Sequence, residues 1–209
     1  MTRKNVIFVY ALILLPLISG YGADSKFGIR FNMSGVRPVN GTFRDNIKMS
    51  DYVNSSTGYS IAFRQQITKG FEVELQAFYQ FLEISDQYKV DSAKKPGWLI
   101  PGISVSNIIP VFHWIAVPSL KFGADIIPWR FTDDGPKGET SLFEGEKVQK
   151  MSFGFHGGLE LEVPVAKWFS IIAEARYTYL FCRDTFFFGE TFSEQGIFSF
   201  SLGMAVFPF

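Results

Sequence analysis

From Phe27 onward, apolar and polar or small residues alternate with a period of two. Phe27, Ile29, Phe31 and Met33 alternate with Gly28, Arg30, Asn32 and Ser34. Tyr59, Ile61 and Phe63 alternate with Ser60, Ala62 and Arg64, and the run from Phe71 to Phe81 sets Val73, Leu75, Ala77 and Tyr79 against Glu72, Glu74, Gln76 and Gln80. The same pattern holds from Leu120 to Ile126, Phe153 to Val163, Phe169 to Phe181 and Phe198 to Val206. Period two is the signature of strands with one apolar face, and none of these runs has helical spacing. They predict seven strands. An eighth is expected between Trp98 and Ile109, with a bulge, because Pro101 removes a ladder hydrogen bond and the alternation slips around Asn107. Each run is about ten residues long, the length of a tilted strand crossing a ~25 Å apolar band.

The connections alternate in length. Arg37–Thr57, Ser85–Gly97, Arg130–Met151 and Cys182–Gly196 are long, whereas Thr68–Gly70, Pro110–Trp114 and Pro164–Trp168 are short. Short periplasmic turns and long extracellular loops are the habit of outer-membrane barrels, and an even strand number then puts both termini in the periplasm. The four tryptophans fall at expected strand ends, Trp98 and Trp129 outside and Trp114 and Trp168 at turns. They are expected to form interfacial girdles, since indole rings favour the headgroup level.

Alternation does not say which face is outside, and a soluble lipocalin-like barrel also has eight strands. The polar face carries Arg30, Arg64, Glu72, Glu74, Lys121, Asp125, His156, Glu160, Glu162, Glu174 and Arg176 among many Gly, Ser and Ala residues. Small residues between charges of both signs suit a narrow interior, while Phe, Ile, Leu and Tyr on the other face suit lipid. The expected fold is therefore an all-β, eight-stranded, antiparallel up-and-down transmembrane β-barrel.

Composition agrees. Aromatics make up 17% of the chain, with 24 Phe and 19 Gly, yet no segment after the N-terminus supplies the ~18 apolar residues of a spanning helix. The N-terminus reads as a cleaved secretory signal over residues 1–22. Arg3 and Lys4 precede an apolar run from Val6 to Ile18, and Gly20 and Gly22 stand at the cleavage positions. Residues 23–209 are the barrel domain. Removing two basic residues from a chain with 20 basic and 20 acidic ones leaves a slightly acidic protein, which argues against a nucleic-acid partner. The single cysteine, Cys182, excludes an intramolecular disulfide.

The chain resembles the small outer-membrane β-barrel domain family, the OmpA- and OmpX-like eight-stranded barrels. The resemblance rests on the hairpin FGFHGGLELEVPVAKWFSIIAEARYTYLF (Phe153 to Phe181), the alternating last strand, and the terminal Phe209. It implies Gram-negative outer-membrane localisation. It also implies partners in the lipid bilayer and lipopolysaccharide, and in the periplasmic chaperones and outer-membrane assembly machinery that read a C-terminal aromatic such as Phe207 or Phe209. These two phenylalanines are out of phase with Phe198 to Val206. Either the phase resets, or Val206 is the last lipid-facing residue.

Candidate chemistry is sparse. His113 lies in a short turn; His156 faces the lumen and could serve as a general base beside a nucleophile. Barrel lipid-A deacylases pair His and Ser on one strand, and neither histidine has a serine two residues on. Barrel palmitoyltransferases combine an extracellular His with an Asp-Ser pair; no His precedes Asp91-Ser92. Asp133-Asp134 reads as solvated loop. Two histidines without cysteine partners argue against a metal, and no cofactor is expected. The lumen charges read first as an ion-paired plug and second as a narrow gated ion path. Loop charges, and Phe186, Phe187, Phe188 and Phe192 near Cys182, offer surfaces for an extracellular ligand or lipid. Three functions stay open: a non-enzymatic structural or surface-interaction barrel, a small pore, and a lipid-modifying enzyme.

Overall fold

In the computed structural model, residues 27–43, 47–68, 70–112, 115–143, 145–183 and 192–207 are described. The expected signal segment, His113, Trp114, Phe186 to Phe188 and Phe209 lie outside them. Eight strands close one antiparallel barrel. They are β1 (Phe27–Asn40), β2 (Ser56–Thr68), β3 (Phe71–Glu83), β4 (Gly97–Pro110), β5 (Val117–Thr132), β6 (Gln149–Ala166), β7 (Phe169–Phe181) and β8 (Gln195–Val206). Each pairs with its neighbours in sequence, and β1 closes on β8 through pairs running from Ile29↔Val206 to Asn40↔Gly196. The strands are 12 to 18 residues long, so they project beyond a ~25 Å apolar band.

Three connections are tight and the others are long. The β1–β2 connection folds into a small hairpin, Thr42–Phe43 with Ile47–Lys48, and a single helical turn, α1 (Met49–Tyr52). It is stitched to the β3–β4 connection by Asn54 N–H donating to the Glu83 carbonyl and Ser85 N–H to the Tyr52 carbonyl, both at 2.8 Å. The β5–β6 connection carries a second hairpin, Leu142–Phe143 with Glu146–Lys147.

Alternation sorts the side chains as a barrel wall must. The outer face presents Phe31, Met33, Phe63, Leu159, Phe200 and Leu202, with Leu202 57% exposed, while Arg30 and Glu74 on the inner face are 0% exposed. Contiguous exposed apolar surface on all sides suits hydrocarbon and not water, and charge aimed inward avoids the several kcal/mol that a lipid-facing charge costs. The barrel therefore has the build of a membrane-spanning one and not that of a lipocalin.

Two expectations need correction. The bulge in β4 is absent. Its pairs with β5 keep one register on both sides of a gap, from Leu99↔Arg130 to Ile103↔Ile126. The apparent slip at Asn107 arises because Ile108 faces inward, 1% exposed, and Asn107 outward. The second correction concerns the girdle. Trp98 and Trp129 do not face the interface: they are 0% and 1% exposed and point into the lumen. Their positions share parity with Ser104 and Asp125, so the pleat directs them inward. Trp168, at a short turn, is exposed at 55%. The outer aromatics toward the long-loop end are tyrosines and phenylalanines, with Tyr59 opposite Tyr79, Tyr177 opposite Phe198 and Phe153 opposite Phe181.

The β8 register with β7 is constant to Val206. No phase reset occurs. Phe207 continues the alternation and turns inward, where a β-carbon on Gly28 would come within 2.7 Å of its ring. Its N–H donates to the Trp168 carbonyl at 2.9 Å.

In variants that keep a single tryptophan, reconstituted in vesicles of brominated-chain lipid, Trp168 is expected to be quenched and Trp98 and Trp129 to stay bright. Strong quenching of Trp129 would place it on the outer face after all.

Candidate functional site: a charged lumen beneath an aromatic stopper

The inner face changes character along each strand. From the short-turn end, β5 presents Ser119, Lys121, Gly123 and Asp125, then Ile127, Trp129 and Phe131. On β7 the order is Ser170, Ile172, Glu174, Arg176 and Thr178, then Leu180. The lumen is thus charged in its short-turn half and apolar in its long-loop half.

Nearest the short turns, the charged half holds a network of three cations and three buried carboxylates. Arg30 donates to Glu160 at 2.5 Å, Glu174 at 2.6 Å and Glu74 at 3.4 Å. Arg64 donates to Glu160 at 2.7 Å and Glu74 at 3.1 Å. Lys121 donates to Glu74 at 2.6 Å and Glu174 at 3.0 Å. Three cations against three carboxylates make the set neutral, and each of the three carboxylates serves at least two of the cations. Glu160 and Glu174 stand directly opposite each other on β6 and β7, a like-charge pair that would repel if left alone. The two arms of the Arg30 guanidinium reach one carboxylate each and remove that repulsion. Arg30 has room to do so because its neighbours across the ladders are Ala62 and Ala205. At the rim, Glu72 and Glu162 lie 3.5 and 3.1 Å from Arg64 and keep partial exposure.

A second cluster lies deeper. Arg176 donates to Asp125 and, at 2.7 Å, to Gln76. His156 Nδ1 stands 3.0 Å from Asp125 Oδ2, and its Nε2 stands 2.9 Å from Ser106 Oγ. The carboxylate needs a donor, which places the ring proton on Nδ1 and leaves Nε2 to accept from the serine hydroxyl. The order Ser106, His156, Asp125 has the connectivity of a nucleophilic triad. It spans three strands, with Gly123 of β5 paired to both Ser106 and His156. Any side chain at Gly123 would meet the His156 ring at 2.8 Å, so this glycine opens the passage between them.

All eleven lumen residues expected from the sequence face the interior, and the two clusters account for them. Asn32, Ser60, Gln76 and Thr178, on the polar face by alternation, complete the hydrogen bonding together with Ser104 and Ser106. Their parity matches that of the charged residues and is the available signal. Ser106 escapes a search confined to the histidine's own strand.

The long-loop half is an apolar stopper. Trp98, Trp129, Phe131, Leu82, Ile100 and Leu180 pack with Phe43, Met49 and Val53 from the β1–β2 connection and with Phe192. Phe43 stacks on Tyr52 at 4.0 Å, and Trp129 meets Phe192 at 5.3 Å. Cys182 lies within this cluster, just beyond β7, and burial pushes its thiol up to about 12. Between the stopper and the charges remains a cavity of about 20 Å³, lined by Ser34, Gln76, Arg176, Ser199 and Ile127 among others. That is room for one water. Neither Ser106 nor His156 is on its wall.

No protein-family model and no curated protein sequence matches the chain. Solved structures do. The Neisserial surface protein A aligns with a TM-score of 0.55 at 13% identity, covering 86% of this chain and 96% of that one. A major outer membrane protein from Thermus thermophilus gives 0.57 at 12% identity, covering 88% and 99%. The outer membrane protein OprG from Pseudomonas aeruginosa gives 0.50 at 14% identity, covering 91% and 99%. The chain has the fold of the small outer-membrane β-barrels. At these identities the likeness concerns backbone architecture.

Arg30→Met strips Glu160 and Glu174 of their shared cation and is expected to cost about 3–5 kcal/mol, read as urea unfolding in detergent micelles. A change within about ±0.5 kcal/mol, the range of an ordinary surface substitution, would mean the network contributes nothing net. Cys182, held as a neutral thiol, is expected to resist maleimide at neutral pH until the barrel is boiled in SDS. Rapid labelling of the folded protein would show the stopper to be open.

Proposed function

We propose that this protein is a non-enzymatic, integral outer-membrane barrel with a closed lumen, and that it acts through its long-loop face at the cell surface. On this reading the long-loop end is extracellular and the tight turns are periplasmic. The bilayer, lipopolysaccharide and the assembly machinery are its general partners. The observation that carries the proposal is the occluded interior. The ion-paired layer and the aromatic stopper lie in series, and the cavity between them has room for no more than about one water. An ion crossing the barrel would have to break the Arg30 and Arg64 pairings and then pass the packed Trp98, Trp129 and Phe131, each step costing several kcal/mol. The same occlusion argues against a lipid-modifying activity. Ser106 is 0% exposed, so its hydroxyl has no approach for an acyl carbonyl despite its bond to His156.

The long-loop face suits recognition. The connections are tied to one another by backbone bonds, Gly135 N–H to the Lys95 carbonyl at 2.6 Å among them. They carry charges of both signs, including the Lys94–Asp133 pair at 3.6 Å and Lys89 between Glu83 and Asp86. A charged platform whose described segments are tied together by backbone bonds can bind a partner at reduced ordering cost.

In planar bilayers the purified chain is expected to give no steady conductance at neutral pH. Well-defined channels that vanish on Glu174→Gln or Arg176→Gln would replace the closed-lumen reading by that of a pore through the charged layer.

A further inference from the structure

The gap in the β4–β5 ladder is centred on Pro101, which the unchanged register sets opposite Pro128. Neither proline has an N–H. In an antiparallel ladder, hydrogen-bonded pairs alternate with non-bonded ones, and one bonded pair without donors interrupts the pairing at three consecutive positions. That is the interval seen, from Ile100 to Gly102 against Ile127 to Trp129. On their other sides the same prolines remain in register, Pro101 with Tyr79 and Pro128 with Met151. Both proline carbonyls therefore point into the β4–β5 interval, where the strand opposite offers no donor. The rings sit on the outer face, Pro128 exposed and Pro101 half-buried. In hydrocarbon an unpartnered carbonyl costs free energy unless a donor reaches it.

A cation lies beside this pair. Arg130 is on the same outer face two residues nearer the long-loop end, about 7 Å along the strand. Among the described residues its guanidinium makes only long contacts, 3.4 Å to Thr140 Oγ1 and 3.4 Å to the Pro136 carbonyl. The wall thus offers a positive charge toward the headgroups and two acceptors one step deeper.

We propose that the outer face around Arg130, Pro101 and Pro128 is a docking site for one phosphorylated outer-leaflet lipid whose acyl chains carry hydroxyl or amide donors near their roots. The inference rests on the outer-membrane reading above. The phosphate pairs with Arg130, and a chain hydroxyl or amide N–H donates to the facing carbonyls. Tyr79 and Met151 flank the chain. A phosphorylated lipid lacking such donors would use the arginine alone.

The test is native mass spectrometry of the refolded full chain in micelles. The two probes are lipid A with amide-linked hydroxyacyl chains and phosphatidic acid. Wild type is expected to retain lipid A over phosphatidic acid by roughly tenfold, the scale of one or two net hydrogen bonds. Pro101→Ala/Pro128→Ala restores two N–H donors to the ladder. It is expected to stay folded, to lose the preference, and to bind phosphatidic acid as before. Arg130→Gln is expected to weaken both lipids. Equal retention of the two lipids by wild type, or an unchanged preference in the double proline variant, overturns the site. Heat-modifiable migration and insertion into vesicles are scored on the same samples. A wild-type chain that fails to insert overturns the membrane reading itself, whereas an inserted chain without preference overturns the docking site alone.

Discussion

The arrangement that the rest of the structure depends on is the neutral set of Arg30, Arg64 and Lys121 with Glu74, Glu160 and Glu174. A barrel this narrow must fill its lumen with side chains. Apolar filling throughout would leave nothing to distinguish inside from outside in a bilayer. Charges distinguish them sharply, because each is expensive in lipid and tolerable only against partners. Glu160 and Glu174 would repel across β6 and β7, and they are acceptable because Arg30 reaches both across the lumen. That reach depends in turn on Ala62 and Ala205 beside Arg30.

The two halves of the lumen do different work. The charged half sets the sidedness of the wall, since a one-residue slip of any strand would turn these groups to hydrocarbon. The apolar half seals the mouth. It recruits Phe43, Met49 and Val53 from the first long connection, so this surface segment also packs like core. On the proposed reading, enclosure also keeps the second cluster, with its triad-like order, away from any substrate. A hydroxyl bonded to imidazole needs space for a carbonyl and donors for an oxyanion, and Ser106 is enclosed by neighbouring strands. Here the Ser106–His156–Asp125 chain satisfies buried polar groups and crosslinks β4, β5 and β6.

Much of this is legible in the chain. Strand number, loop-length order and the inward set from Arg30 to Arg176 follow from period-two alternation, which has only one solution once charge must avoid lipid. Less legible are places where two strands must be read together. Trp98 and Trp129 look interfacial because they end strands, yet their parity with Ser104 and Asp125 sends them inward. Pro101 looks like a bulge because its partner Pro128 cannot be known without the register. Ser106 and His156 become neighbours only through Gly123, a residue whose role is to have no side chain.

The sequence by itself thus determined the wall: eight strands, one face for hydrocarbon, one for buried charge. This is local information, carried by neighbours along the chain. Only the tertiary structure decided who pairs with whom across the lumen, that the long-loop half is stoppered, and that two prolines face each other in the wall. Those outcomes depend on inter-strand register and on closure of β1 against β8, which bring together residues more than a hundred positions apart, as with Arg30 and Glu174. Alternation within one strand carries no record of either.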